Sequence, residues 1–164
     1  MQASSDPRSG PKVFICYRRA DTADVAGRIR DRLVALGVTD VFMDVESIAL
    51  GRDFREAVAS AIDASDAVLV VMCPAWLGIT DAQGRRRLDQ EEDPVRVEIE
   101  TALSRRKRVI PLLAGGVAMP AAAALPEAIR SFAFLTGKQI RPDPDFKTDM
   151  EVLMRALAAG DRTG

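Results

Sequence analysis

Short, nearly continuous apolar runs alternating with helical periodicity constrain this chain more than any other feature of its sequence. Val13-Phe14-Ile15-Cys16-Tyr17, Val41-Phe42-Met43, and residues 67–72 and 109–113 have strand length and put apolar side chains on both faces. Strands of a parallel sheet covered by helices on both sides have this composition. After Asp21, a predicted N-cap, Val25, Ile29, Leu33 and Leu36 recur at helical spacing, and Gly37 stands where a C-cap is expected. Phe54, Val58, Ala61 and Ile62 predict a second helix, and Asp93-Pro94 opens a third whose inner stripe is Val95, Ile99, Ala102 and Leu103. Thr148 and Glu151 have capping-box spacing, and Met150, Leu153, Met154 and Leu157 give a last helix one apolar face. Residues 78–92 lack apolar periodicity and predict a surface loop, residues 125–129 a helical turn, and residues 132–135 a short fifth strand. Repeated strand–helix units imply an α/β fold with a parallel sheet, whose ligands bind beyond the carboxyl ends of the strands. The segments to search are therefore residues 17–20, 44–51, 73–78 and 114–117.

A chain of 164 residues suits one domain, expected over residues 12–160 with flexible tails at 1–11 and 161–164. It contains no histidine, which removes Ser-His-Asp and Cys-His catalysis and histidine-based zinc and iron sites. Cys16 and Cys73 are too few for a four-cysteine zinc site and are expected as reduced thiols, so no metal site is expected. The 23 basic and 24 acidic residues nearly cancel and aromatics make up 5%, which argues against a nucleic-acid partner. Arg85-Arg86-Arg87 and residues 105–108 are basic, but Asp89, Glu91, Glu92 and Asp93 offset the first cluster, and solvated surface is the better reading. No apolar stretch is long enough for a membrane span, and Met1 to Asp6 lack a signal peptide's basic start, so a cytoplasmic protein is expected.

The strand ends discriminate among the chemistries this architecture supports. A phosphate-cradling turn needs small residues after the first strand, and this chain has Tyr17-Arg18-Arg19 there. A phosphoacceptor receiver needs an Asp at the end of the third strand, where Cys73-Pro74 stands. Instead, Val13-Phe14-Ile15-Cys16-Tyr17-Arg18-Arg19, Val41-Phe42-Met43-Asp44-Val45-Glu46 with Gly51, Val95-Arg96-Val97-Glu98-Ile99 and Val109-Ile110-Pro111 occur in one order and spacing. In that combination the chain resembles a bacterial Toll/interleukin-1 receptor (TIR) domain from about Lys12 to Ala159.

The resemblance implies a flavodoxin-like TIR fold, a five-stranded parallel sheet with helices on both faces. It also implies one of two functions: cleavage of NAD at the nicotinamide–ribose bond, by hydrolysis or cyclisation, or a non-enzymatic module that recruits partners through TIR–TIR contacts. NAD is then a substrate and no cofactor is implied. A homo-oligomer built through TIR–TIR contacts is implied in either case.

The family's catalytic glutamate maps onto Glu98. Helical geometry independently puts Glu98 at the edge of the buried stripe, with Glu100 turned toward solvent; the alternative is an ordinary solvated helix glutamate. The resemblance puts Arg18 and Arg19 in contact with the dinucleotide, and guanidinium forks suit phosphate oxygens, although a solvated loop pair would read the same way. Tyr17 either stacks on a base or ends the core. Asp44 and Glu46 fall on a loop the family uses at the substrate pocket and in self-association, or are solvated loop acids. Trp76 either lines the pocket or packs. The position four residues before Glu98, often aromatic in active members, is Pro94.

Overall fold

The computed structural model describes residues 10–43 and 50–160. Five strands, β1 (Lys12–Cys16), β2 (Asp40–Phe42), β3 (Ala67–Met72), β4 (Arg108–Ala114) and β5 (Lys138–Ile140), form one sheet in the order β2-β1-β3-β4-β5, and every pairing is parallel. The helices are α1 (Ala23–Leu36), α2 (Phe54–Asp63), α3 (Pro94–Ser104) and α4 (Phe146–Ala159). All six residues of β3 are buried, as expected for the central strand of a covered parallel sheet. Alternation along the strands splits the core in two. Phe14, Cys16, Val68, Val70 and Met72 face α2 and α3, whereas Val13, Ile15, Leu69 and Val71 face α1 and α4.

The strand order makes β1 and β3 neighbours although the chain visits β2 between them. The connections that leave β1, toward β2, and β3, toward β4, run in opposite directions, which opens a crevice above the carboxyl ends of these strands, where doubly wound sheets hold their ligands.

Three expectations are corrected. The fifth strand is Lys138–Ile140, not residues 132–135, which belong largely to a 3-10 segment, Glu127–Phe134. Phe132 is fully buried there, its ring 5.8 Å from that of Trp76, so its apolar signal comes from helix-side packing. Only Ile140 of the edge strand is buried, and an edge strand so polar leaves no apolar run to read. At the start of α1, Thr22 takes the cap position and Asp21 instead accepts a hydrogen bond from the Cys73 thiol at 3.0 Å. At the start of α4, Asp145 precedes the helix and Thr148 lies within its first turn, so Thr148 and Glu151 form no capping box.

The residue that fastens β5 to α4 is Asp149, 1% exposed. Its carboxylate accepts hydrogen bonds from Lys138 Nζ at 3.1 Å, and from the Arg141 backbone N at 2.9 Å, Nε at 3.0 Å and Nη2 at 2.8 Å. Hydrogen bonds from Arg141 hold this carboxyl far below the usual carboxylate range, against the opposing effect of its own burial. A depressed folded pKa stabilises the protein above the ordinary carboxylate pKa and loses that contribution as pH falls toward the folded value. Asp149→Asn is expected to cost about 2–3 kcal/mol near neutrality, or roughly 5–10 °C in Tm. Melting curves at descending pH check this: the gap between parent and variant closes below about pH 4, and a gap independent of pH contradicts it.

Candidate active site

The carboxyl end of β1 continues directly into a turn that its own hydrogen bonds lock. Arg18 N donates to Thr22 Oγ1 at 3.0 Å, Thr22 Oγ1 donates back to Arg18 O at 3.0 Å, and Thr22 N donates to the same carbonyl at 2.9 Å. From this turn the Arg18 side chain runs inward to Asp93, which begins α3. Its Nη1 and Nη2 each donate to one oxygen of Asp93 at 2.8 Å, with both side chains at most 3% exposed. Asp93 also caps α3 by accepting from Arg96 N at 3.1 Å, and Pro94 follows at the first helical position, as the sequence predicts. One carboxylate thus sets both the start of α3 and its distance from β1.

A cleft of about 120 Å³ opens between these two elements. Tyr17, Arg18 and Arg19 wall it from the β1 turn, Pro94, Val95 and Glu98 from α3, and Arg87 from the loop before α3. Glu98 is 7% exposed, deeper than the stripe edge predicts, whereas the Glu100 side chain is 48% exposed as expected. Against Glu98 lies the thiol of Cys16, the last residue of β1, fully buried and hydrogen-bonded to the glutamate, with its Sγ 3.9 Å from the Val95 carbonyl oxygen. Burial, followed by the charge and hydrogen bond of Glu98, pushes the Cys16 thiol well above its ordinary pKa. The thiol therefore stays protonated and acts as a donor beside the carboxylate.

The other predicted residues separate into groups. Tyr17 and Arg19 line the cleft with Glu98, Tyr17 half-buried and Arg19 exposed. Arg18 also borders the cleft, but both of its terminal nitrogens are engaged by Asp93, so it does not present the open fork expected for a phosphate. Trp76 is 1% exposed and stacked on Phe132 in the core; it packs and does not line the cleft. Asp44 and Glu46 lie outside the described residues. Among the described residues no three His, Cys, Asp or Glu side chains converge to hold a metal ion.

Three residues that line or frame this cleft carry no such signal in the sequence. Asp93 was legible as a cap, but its pairing with Arg18 spans 75 residues and leaves no local trace. Cys16 reads as one more apolar strand residue. Arg87 lies in a run read as solvated surface. A larger concavity of about 400 Å³, on the flank of α3 that carries Arg96 and Glu100, includes none of the strand-end residues.

The fold defines the protein as a flavodoxin-like α/β domain with its cleft at the carboxyl end of β1. A family model described as "TIR domain" matches residues 13–154, and the chain belongs to the TIR domain family. Two relatives carry the name NAD(+) hydrolase SARM1. The zebrafish (Danio rerio) protein is 31% identical over 133 residues, covering 81% of this chain and 17% of the relative. The Drosophila melanogaster protein is 30% identical over 126 residues, covering 76% of this chain and 9% of the relative. This chain thus spans less than a fifth of the length of either. Among solved structures, the TIR domain of the Toll-related receptor TRR-2 from Hydra magnipapillata superposes with a TM-score of 0.61 at 20% identity, covering 89% of this chain and 97% of that one. Among the described residues no helix is long and apolar enough to cross a membrane.

Proposed function

We propose that this TIR domain cleaves NAD at the nicotinamide–ribose bond, with Glu98 as the catalytic carboxylate. The observation that carries the proposal is a glutamate held at 7% exposure in a cleft at the carboxyl end of β1, with arginines at its walls. The names of the two NAD(+) hydrolase relatives support it.

The chemistry asks little of the protein. Nicotinamide leaves as a neutral molecule from a cationic N-glycoside, so no acid is needed to protonate the leaving group. Positive charge develops on the ribose as the bond breaks, and a fixed anion in a water-poor cleft stabilises it. Attack by water at the anomeric carbon gives ADP-ribose and releases a proton; attack by a nitrogen of the substrate's own adenine gives a cyclic product. Neither route needs histidine. We place the activity in the cytoplasm and in bacterial defence signalling, on the resemblance of the motifs.

The size of the cleft favours a role for assembly. Pockets for drug-sized ligands occupy roughly 300–1,000 Å³, and about 120 Å³ does not enclose a dinucleotide. Contacts with a second copy would enlarge or complete the site, shifting the population toward a competent state. The same size supports the second reading, a module whose output is TIR–TIR contact alone. A dilution series separates them. Specific activity toward NAD is expected to rise severalfold between low and high protein concentration, in step with oligomers seen by light scattering. Oligomers that release no nicotinamide leave the module as the function, and constant activity in a strictly monomeric protein contradicts the assembly requirement.

A further inference from the structure

We propose that Arg87 anchors the phosphates of the substrate at the mouth of the Glu98 cleft; this inference rests on the functional reading above and extends it to a residue of the loop before α3.

The three arginines at positions 85–87 look equivalent in sequence and are used differently in the fold. Arg85 is turned to solvent and bonded to Asp81, with Nε and Nη2 each 3.1 Å from its Oδ2. Arg86 is held by Asp89, at 2.6 Å and 3.0 Å, and by the Ala124 carbonyl at 2.6 Å. Arg87 turns into the cleft that contains Glu98, Tyr17 and Arg19, is half-buried, and has no ion-pair partner among the described residues.

Its position is built rather than incidental. Arg87 N donates to the Ile79 carbonyl at 2.9 Å, the preceding residue forms an antiparallel bridge with Thr80, and the next residue, Leu88, is fully buried in the core beneath α3. Arg96 Nη1 also donates to the Leu88 carbonyl at 3.3 Å. The backbone on both sides of Arg87 is thus fixed, and a guanidinium held on a fixed backbone loses less freedom when it binds.

The charges then match a substrate with two different ends. Arg18 is neutralised by Asp93, whereas Arg87, without an ion-pair partner among the described residues, brings a cation to the cleft that Glu98 also lines. An anionic diphosphate suits Arg87, and a developing ribosyl cation suits Glu98. Because the phosphates are equally charged before and during bond cleavage, Arg87 should stabilise ground and transition states alike, and its loss should appear in KM rather than kcat.

The test compares wild type, Arg87→Ala, Arg87→Lys and the solvent-facing Arg85→Ala, each checked for an unchanged Tm. With NAD, Arg87→Ala is expected to raise KM about tenfold at nearly constant kcat, Arg87→Lys to recover part of the loss, and Arg85→Ala to behave as wild type. With nicotinamide riboside, which has no phosphate, wild type and Arg87→Ala should turn over equally. An equal penalty on both substrates, or none on NAD, overturns the assignment. Calorimetric titration of wild type and Arg87→Ala with inorganic pyrophosphate keeps the inference separate from the proposed reaction. Pyrophosphate binding lost in Arg87→Ala sustains the anion site even if no nicotinamide is released, and indistinguishable titrations, including no binding by either protein, overturn it.

Discussion

Glu98→Gln is expected to lower nicotinamide release from NAD by roughly a thousandfold, because it removes the negative charge from the point where the ribose becomes positive. The side chain keeps its length, and the amide oxygen can still accept from the Cys16 thiol that lies against Glu98. Its thermal stability should equal or exceed that of the parent. A carboxylate at 7% exposure has given up much of its hydration, and a neutral isostere relieves that cost. A catalytic role therefore predicts that activity and stability move in opposite directions, whereas a structural role predicts that they fall together. Circular dichroism, a melting curve and a nicotinamide assay on the same preparation distinguish these cases, and turnover equal to wild type removes Glu98 from the mechanism.

The second large effect concerns the Arg18–Asp93 pair. Arg18→Met leaves the Asp93 carboxylate buried without its bidentate partner, and an uncompensated buried charge typically costs about 3–5 kcal/mol. In a domain of this size that corresponds to a Tm lower by roughly 8–15 °C. Asp93 still accepts from Arg96 N, so α3 should survive with its first turn loosened. Adding Asp93→Asn removes the stranded charge and retains a capping side chain. The double variant should recover a substantial part of the loss, even though it carries one more substitution. Urea unfolding of the two single variants and the double measures this coupling directly. Purely additive costs would mean that the two residues do not act as a pair. Because Asp93 sets the start of α3, the single variant should also lose activity through displacement of Glu98, an effect of position rather than of lost phosphate contact.

That reassignment of Arg18 shows what a sequence can and cannot reveal here. The sheet was legible because β3 is buried along its whole length and β1 and β4 are apolar beyond their first residues, Lys12 and Arg108, and α3 was legible because its cap and its proline are local. The fifth strand was not, because an edge strand with one buried residue has no such composition, while the apolar residues nearby are spent on packing Phe132 against Trp76. That Glu98 borders the buried face of α3 could be read from helical spacing. Its depth could not, since that depends on the Cys16 side of β1 closing over it. Arg18 drew a phosphate role from the family resemblance and its residue type; the carboxylate that engages it lies 75 residues away. Arg85, Arg86 and Arg87 carry the same side chain, and only the bridge at Thr80 and the burial of Leu88 decide which of them turns inward.

The most direct measurement is the incubation of concentrated wild-type protein with NAD, with nicotinamide, ADP-ribose and cyclic products resolved by chromatography and Glu98→Gln run alongside at the same concentration. The account predicts nicotinamide release by the wild type, matched mole for mole by ADP-ribosyl products, and almost none by the variant. Intact NAD in both samples, from wild-type protein shown to be folded and assembled, would contradict it.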